Sequence, residues 1–181
     1  MAFGTVEVDT LTTSTQSITL DTLKSSVDSA VTPSGATFTG DVTMQEALSL
    51  ERVIEKATVR NQGAGGTIDF DFKTQAVIHD YADSTGTFTI NLRGDANTTF
   101  NDMVSDGDVV TIAYIYKTGS TGHYNLGKLE IDGTTANQTI RWIGEPTGDV
   151  ATNAFIVMTY TVIKTASGTF NVLGQTSAFE S

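Results

Sequence analysis

The sequence contains no cysteine, so disulfide bonds, thiolate metal ligands and cysteine nucleophiles are excluded together. The two histidines, His79 and His123, lie far apart in the chain and lack the spacing of a histidine metal pair. No apolar run approaches the roughly 18 residues that cross a bilayer, and residues 1–4 do not begin a signal peptide. We therefore expect no zinc site and no membrane insertion, and a fold stabilised by packing and assembly.

Basic residues are scarce. Lys and Arg number 10 against 21 Asp and Glu, which gives a formal net charge of -11. The electrostatic field of this negative charge repels phosphate backbones, so we expect no nucleic-acid partner. Hydrophobic residues still make up 39% of the 181 residues, which is enough for a core and suits one domain plus an extension.

Large apolar residues are sparse in the first forty or so positions, which therefore cannot bury a core alone. Val6 and Val8 alternate with acidic residues, and Ile18 and Leu20 flank Thr19, a period of two that predicts short strands. The segment is either a flexible tail or an arm that orders against a partner. Its apolar anchors favour the arm. The candidate residues for docking on a partner or for oligomerisation are Phe3, Val6, Val8, Leu11, Ile18, Leu20 and Leu23.

Proline occurs only twice, and Pro33 with Gly35 forms the clearest break in the chain. We predict an extended attachment arm over residues 1–34, a connecting segment or short shaft over 35–60, and a β-domain over 61–181. Between residues 44 and 57 the pattern fits a helix and a strand equally well, so that choice stays open. The glycine cluster 63–66 lacks the phosphate-binding pattern and is read as a loop.

After residue 67, short runs rich in β-branched and aromatic residues predict strands. Phe88, Ile90 and Leu92 alternate with polar residues, which predicts a half-buried antiparallel strand. Glycine-containing turns between the runs favour hairpins. The sequence contains no exact internal repeat, so we do not expect a solenoid. We therefore predict an all-β fold, an antiparallel β-sandwich that is jelly-roll-like, with an extended N-terminal attachment arm. The predicted strands are residues 67–72, 76–81, 86–92, 108–116, 128–131, 139–143, 154–164 and 169–173.

Two clusters of aspartate residues could take part in catalysis or in metal binding. Asp69 and Asp71 project to one strand face, as the acid and base of a glycosidase could, but alternation with apolar residues favours a solvated face. Asp102, Asp106 and Asp108 invite calcium, yet their spacing does not match an EF-hand, and a turn explains them better. No Gly-x-Ser-x-Gly motif is present. We expect a non-enzyme with no catalytic residue, no cofactor and no metal.

Histidine and the polar-tipped aromatic residues are the remaining candidates for contact with a partner. We expect His79 to be an edge or outward-facing strand residue, and we take His123 and Tyr124, in a loop, as surface-contact candidates. Such aromatic residues can line a glycan or protein surface. For Tyr114, Tyr160 and Trp142, however, core packing is the commoner explanation.

Five segments carry a resemblance to a known family: residues 66–71, 74–78, 87–94, 108–114 and 160–165. In order and approximate spacing, the chain from about residue 53 to residue 179 resembles a β-domain of virion structural and tail-fibre-like proteins of marine bacteriophages, cyanophages especially. Residues 1–15 are similar to the starts of related appendage proteins. The resemblance implies a particle component without catalytic residues, and a polar connection at residues 98–103. Only residues 38–44 resemble a shaft fragment, which favours a short appendage.

We therefore expect a bacteriophage virion protein, assembled in the bacterial host cytoplasm: a short fibre, spike or surface appendage. Its N-terminal arm would dock on tail, neck or capsid proteins, and its β-domain could contact a host-surface glycan or protein. We expect a homotrimer, since related displays are often trimeric and copies could bury one another's weak N-terminal strands. The alternative is a capsid decoration (cement) protein that stabilises the head. A glycan-processing spike is a remoter alternative.

Overall fold

The computed structural model describes residues 10–12, 17–19, 42, 47, 49, 51, 53–123, 125–135, 138–143 and 151–180. The contacts divide the chain into two units, Met1–Val53 and Ile54–Ser181. In the first unit, β1 (Thr10–Thr12) pairs antiparallel with β2 (Ser17–Thr19), and Leu11 lies opposite Ile18. Phe3, Val6, Val8, Leu20, Leu23 and the break at residues 33–35 lie outside the described residues. The predicted boundaries at residues 34 and 60 stay predictions.

The second unit consists mainly of strands, as predicted. All eight runs predicted after residue 67 are confirmed as strands, and the last one extends to Phe179. In the open region 44–57, the described residues 47, 49, 51 and 53–57 lie in neither a helix nor a strand. The elements are β3 (Thr58–Arg60), β4 (Gly66–Asp71), β5 (Val77–Asp83), β6 (Phe88–Arg93), α1 (Phe100–Met103), β7 (Val109–Lys117), a 3-10 turn (Gly119–Thr121), β8 (Asn125–Ile131), β9 (Gln138–Ile143), β10 (Phe155–Ala166) and β11 (Thr169–Phe179).

The short helix α1 was not predicted, since the resemblance implied only a polar connection there. Thr99 caps the helix, because its hydroxyl accepts a hydrogen bond from the Asp102 backbone amide at 3.0 Å. A threonine followed three residues later by an acidic residue is a sequence signature of a helix N-terminus. That signal was available in the sequence.

The strands form a large sheet of order β3-β5-β7-β10-β11-β9 and a small sheet of order β4-β6-β8. In these two sheets only the pairs β7–β10 and β10–β11 are antiparallel, and the other pairs are parallel. The all-β prediction is therefore confirmed. The prediction of antiparallel pairing is wrong for most pairs.

Strand β6 shows why the alternation of apolar and polar residues led to a wrong prediction of antiparallel pairing. Phe88, Ile90 and Leu92 alternate inward as expected, but Thr89 and Asn91 are buried as well, and β6 runs parallel to β4 and β8. Asn91 is covered by its bonds to Asp69 and to the backbone of Gly133. Alternation reports which face is apolar. It carries no information about the direction of the neighbouring strand, which depends on the connections.

Successive strands from β3 to β8 alternate between the two sheets, and each joins its own sheet in parallel. This is the pairing of a β-coil of three turns, although the sequence contains no repeat. The expectation against a solenoid is therefore wrong for this part of the chain. Strands β9, β10 and β11 then complete the large sheet.

One apolar cluster joins the two sheets. Phe88 of β6 contacts Tyr114 and Tyr116 of β7 edge to face, with ring centroids 5.5 and 4.8 Å apart. Trp142 packs against Tyr160 and over Gly174, where an added Cβ would lie 2.5 Å from the indole. Core packing of Tyr114, Tyr160 and Trp142 is thus confirmed, and Tyr116 joins the core.

Candidate functional site

The predicted carboxylate pair of β4 is bridged by one cation. Arg93 on the neighbouring β6 lies 2.9 Å from Asp69 through Nη1 and donates from Nε to Asp71 at 2.6 Å. Asn91 donates a second hydrogen bond to Asp69 at 2.8 Å. The hydrogen bond to Asp71 raises the pKa of Arg93 above its ordinary value. The guanidinium therefore occupies the position between the carboxylates that a substrate oxygen would need in a glycosidase.

In the second cluster of aspartate residues, Asp106 and Asp108 lie at a turn, as predicted, whereas Asp102 lies in α1. Asp108 accepts a hydrogen bond from the Ser105 backbone amide at 2.7 Å, and Gly107 adopts a positive φ of 94°. Asp106 lies 3.9 Å from the Lys164 ammonium. Within the described ranges, no three His, Cys, Asp or Glu residues are grouped so that they could hold a metal ion.

Two buried or half-buried charges hold α1 in place. Asp132 accepts hydrogen bonds from the backbone amides of Phe100 and Asn101, at 2.6 and 3.0 Å, at the start of the helix. At its end, Lys164 donates to the carbonyls of Asn101 and Val104 at 2.7 and 2.8 Å. Both ends of a single helical turn thus receive opposite charges that suit the helix dipole. These residues are therefore explained by the fold.

A polar cleft of about 390 Å³ opens beside the ends of β6 and β8. Its charged groups are already engaged in hydrogen bonds. Asp95 accepts from Lys73 at 2.9 Å and from the Asn97 backbone amide at 2.7 Å, and Asp132 holds α1. These two carboxylates are therefore already engaged by the fold.

Asp95 predicts a measurable dependence on pH. The hydrogen bond from Lys73 and the Asn97 amide lower the pKa of Asp95 to about 2. Because the folded-state value is depressed, the stabilisation is complete above the ordinary pKa of 3.8 and is lost as the pH falls towards 2. A carboxyl-detected NMR titration should place the Asp95 midpoint near 2, and Lys73→Met should move it up towards 3.8. Equal midpoints in both proteins would contradict the assignment.

The large sheet has one side that none of the described residues covers, here called the outer face. Alternating burial along β7 and β10 shows that every second side chain points away from the core. Several of these outward side chains are apolar and exposed, including Val59 at 65%, Leu173 at 48% and Ile143 at 74%. The outer face consists of Val59, Val77, His79, Tyr81, Val109, Thr111, Ala113, Ile115, Lys117, Arg141, Ile143, Phe155, Val157, Thr159, Thr161, Ile163, Asn171, Leu173, Gln175, Ser177 and Phe179.

The outer face is nearly free of charge. Lys117 forms an ion pair with Asp83 at 2.6 Å, at one end of the face, and Arg141 is its other charged residue. A row across neighbouring strands consists of Val59, His79, Ile115 and Val157. The small sheet differs: its outward side carries Asp69, Asp71, Arg93, Lys128 and Glu130. Exposed apolar surface with so little charge is typical of interaction sites.

A groove of about 340 Å³ runs along the outer face between β9, β10 and β11. Ile143 and Leu173 supply apolar walls, and Thr159 and Thr161 supply hydroxyl groups. Arg141 lies in the same groove and forms no ion pair with any residue that the structure describes. The groove therefore offers one cation within an uncharged surface.

No family model, curated protein or solved structure matches the chain. Among the described helices, none is long and apolar enough to span a membrane.

The histidine predictions have different outcomes. His79 points outward from the sheet, as predicted, and its ring centroid lies 5.6 Å from that of Phe155 on the outer face. It is not on an edge strand, because β5 lies between β3 and β7. His123 is half-buried after the 3-10 turn, and Tyr124 lies outside the described residues. Their role as surface contacts stays a prediction.

The outer face was not predicted from the sequence. Threonine and valine occur on both sides of these strands, so their alternation does not show which side is left exposed.

Proposed function

We propose that the chain is a structural protein of a bacteriophage virion, a short fibre, spike or surface appendage. It binds rather than catalyses. Its N-terminal arm docks on tail, neck or capsid proteins, and its β-sandwich domain is displayed for contact with a host-surface glycan or protein. The protein acts as a homotrimer, and it needs no cofactor and no metal.

The observation that carries this proposal is the nearly uncharged outer face in a chain of net charge -11. Acidic residues keep a protein soluble before assembly, whereas an apolar sheet face without charge is suited to burial against a partner. The resemblance of residues 53–179 to phage particle proteins supports the same function. The engagement of Asp69 and Asp71 by Arg93 supports binding over glycan hydrolysis.

The test is to locate the protein in particles of the phage whose genome encodes it. We expect antibodies against the β-domain to label purified virions in electron micrographs, and the chain to be present in particle digests. A particle lacking the gene serves as the unlabelled control. Complete, infectious virions that contain none of the chain would refute the proposal.

The deletion phenotype separates an appendage from a decoration protein. For an appendage, we expect particles that resist heat normally but adsorb poorly to the host. Heat-fragile particles with normal adsorption would instead assign the protein to the head surface, as a cement between capsid subunits.

Hydrolysis of a glycan has its own test. Incubation of the purified chain with host envelope polysaccharide should release no reducing ends. Release that Asp69→Asn and Asp71→Asn abolish, while Glu130→Gln on the same sheet leaves it unchanged, would establish a glycan-processing spike.

A further inference from the structure

We infer that the outer face of the large sheet is the surface on which copies of this chain associate, so that its occupant is the same face of another copy. The inference deepens the proposed function by naming the first partner of that face. It rests on three features of the described residues: the area of the face, the distribution of charge, and the chemistry of the groove.

The area is close to what a stable interface requires. With strands about 4.8 Å apart and outward side chains about 6.7 Å apart along each strand, the face covers about 650 Å². A standard interface buries about 800 Å² on each partner. The exposed side chains at its periphery, Val59, Ile143 and Phe179, extend the apolar surface to both edge strands and to the end of β11.

The distribution of charge favours a copy of this chain over other partners. Two acidic proteins can approach only where neither presents carboxylates, because burying like charges costs several kcal/mol. The face itself carries no carboxylate among its defining residues, and Asp83, beside it at the end of β5, is paired with Lys117. The unpaired acidic surface lies elsewhere, so two outer faces can meet without facing like charges across their centre. A strongly basic partner would find no carboxylate row on this face to bind.

The groove supplies polar groups that two copies can share. Thr159, Thr161 and Gln175 can donate and accept hydrogen bonds, and the Arg141 guanidinium can donate to such oxygens at the rim. Apolar walls from Leu173 and Ile143 surround these groups. An apolar centre with a few satisfied polar groups is the usual composition of a protein interface.

The first test measures the mass of the full chain in solution. Sedimentation velocity at about 1 to 50 μM should give a multiple of the 19.2 kDa chain mass. Leu173→Lys places a like charge on both sides of the interface and should raise the apparent dissociation constant about 100-fold. Thr67→Lys is the matched control. It places the same charge on an exposed position of the small sheet and should leave the constant within about twofold.

The second test does not depend on a charged variant that folds. Because the native chain contains no cysteine, Leu173→Cys and Thr67→Cys each create one thiol that maleimide can label. We expect labelling of Leu173→Cys to slow at least tenfold between dilute and concentrated protein, whereas Thr67→Cys reacts at one rate throughout. A monomer at 50 μM, an oligomer that Leu173→Lys leaves intact, or concentration-independent labelling of Leu173→Cys would each overturn the inference.

The inference and the proposed function can fail separately. A chain that is monomeric in solution but labels virions would refute association through the outer face and keep the virion function. An oligomer that depends on Leu173 but is absent from every particle would do the opposite.

Discussion

Replacing Arg60 with methionine should lower the free energy of unfolding by about 3 kcal/mol, because it leaves a buried carboxylate without its cation. Arg60 of β3 donates two hydrogen bonds to Asp80 of β5, whose side chain is only 1% exposed. Tyr114 donates a third, at 2.7 Å. Urea unfolding followed by tryptophan fluorescence measures the change.

The same interaction appears in the pKa values. Although burial alone would lower the pKa of Arg60, the hydrogen bond and the charge of Asp80 raise it above its ordinary value. Burial, and then the hydrogen bond to Asp80, raise the pKa of Tyr114. Both groups therefore stay protonated and keep donating to Asp80 throughout the neutral range. In register, Arg60 pairs with Asp80, so this contact also holds the three-residue edge strand β3 in place.

Two controls make the first prediction specific. Lys73→Met breaks an exposed ion pair with Asp95 and should lower the free energy of unfolding far less than Arg60→Met. Adding Asp80→Asn to Arg60→Met removes the uncompensated charge and should restore part of the lost stability. If Arg60→Met costs no more than Lys73→Met, the buried pair contributes nothing beyond a surface pair.

Truncating Phe88 to alanine should cost about 3 to 5 kcal/mol. Phe88 is fully buried in the middle of the small sheet and contacts both Tyr114 and Tyr116 of the large sheet. The substitution removes the apolar area that joins the two sheets and leaves a cavity that the rigid strands around it cannot fill. The loss should appear as a lower urea midpoint with an unchanged slope.

Phe72→Ala is the matched control for this cavity. Phe72 is half-buried and contacts Phe100 edge to face at 5.8 Å, so the same truncation should cost about 1 to 2 kcal/mol. Equal losses for the two variants would show that the contact between the sheets is not the main source of stability.

The strands of the second unit were predictable because their signals are local. β-Branched and aromatic residues with alternating polarity specify an extended chain over a few residues, whatever surrounds it. The cap of α1 was equally local, in Thr99 and Asp102, although it was not recognised. Whether neighbouring strands pair in parallel or antiparallel is not specified by any short stretch of sequence. It depends on connections such as the one through α1, which carry the chain from one sheet to the other before it returns.

The candidate site was less predictable than the fold. Asp69 and Asp71 were correctly placed on one outward side of β4, but their partner Arg93 lies on another strand, and only pairing in register brings it near. Arg60 and Asp80 meet for the same reason. An ion pair across a sheet joins residues distant in the chain, and no sequence spacing records it.

By itself, the sequence determined that this protein is built of strands, that it lacks thiol chemistry, and that it carries a large acidic excess, because composition and short-range alternation are properties of the chain alone. Only the tertiary structure decided that most strands pair in parallel, that Arg93 bridges the paired carboxylates, and that one sheet face is left almost without charge. Those features depend on which distant strands become neighbours, and that choice is made by the burial of the shared core.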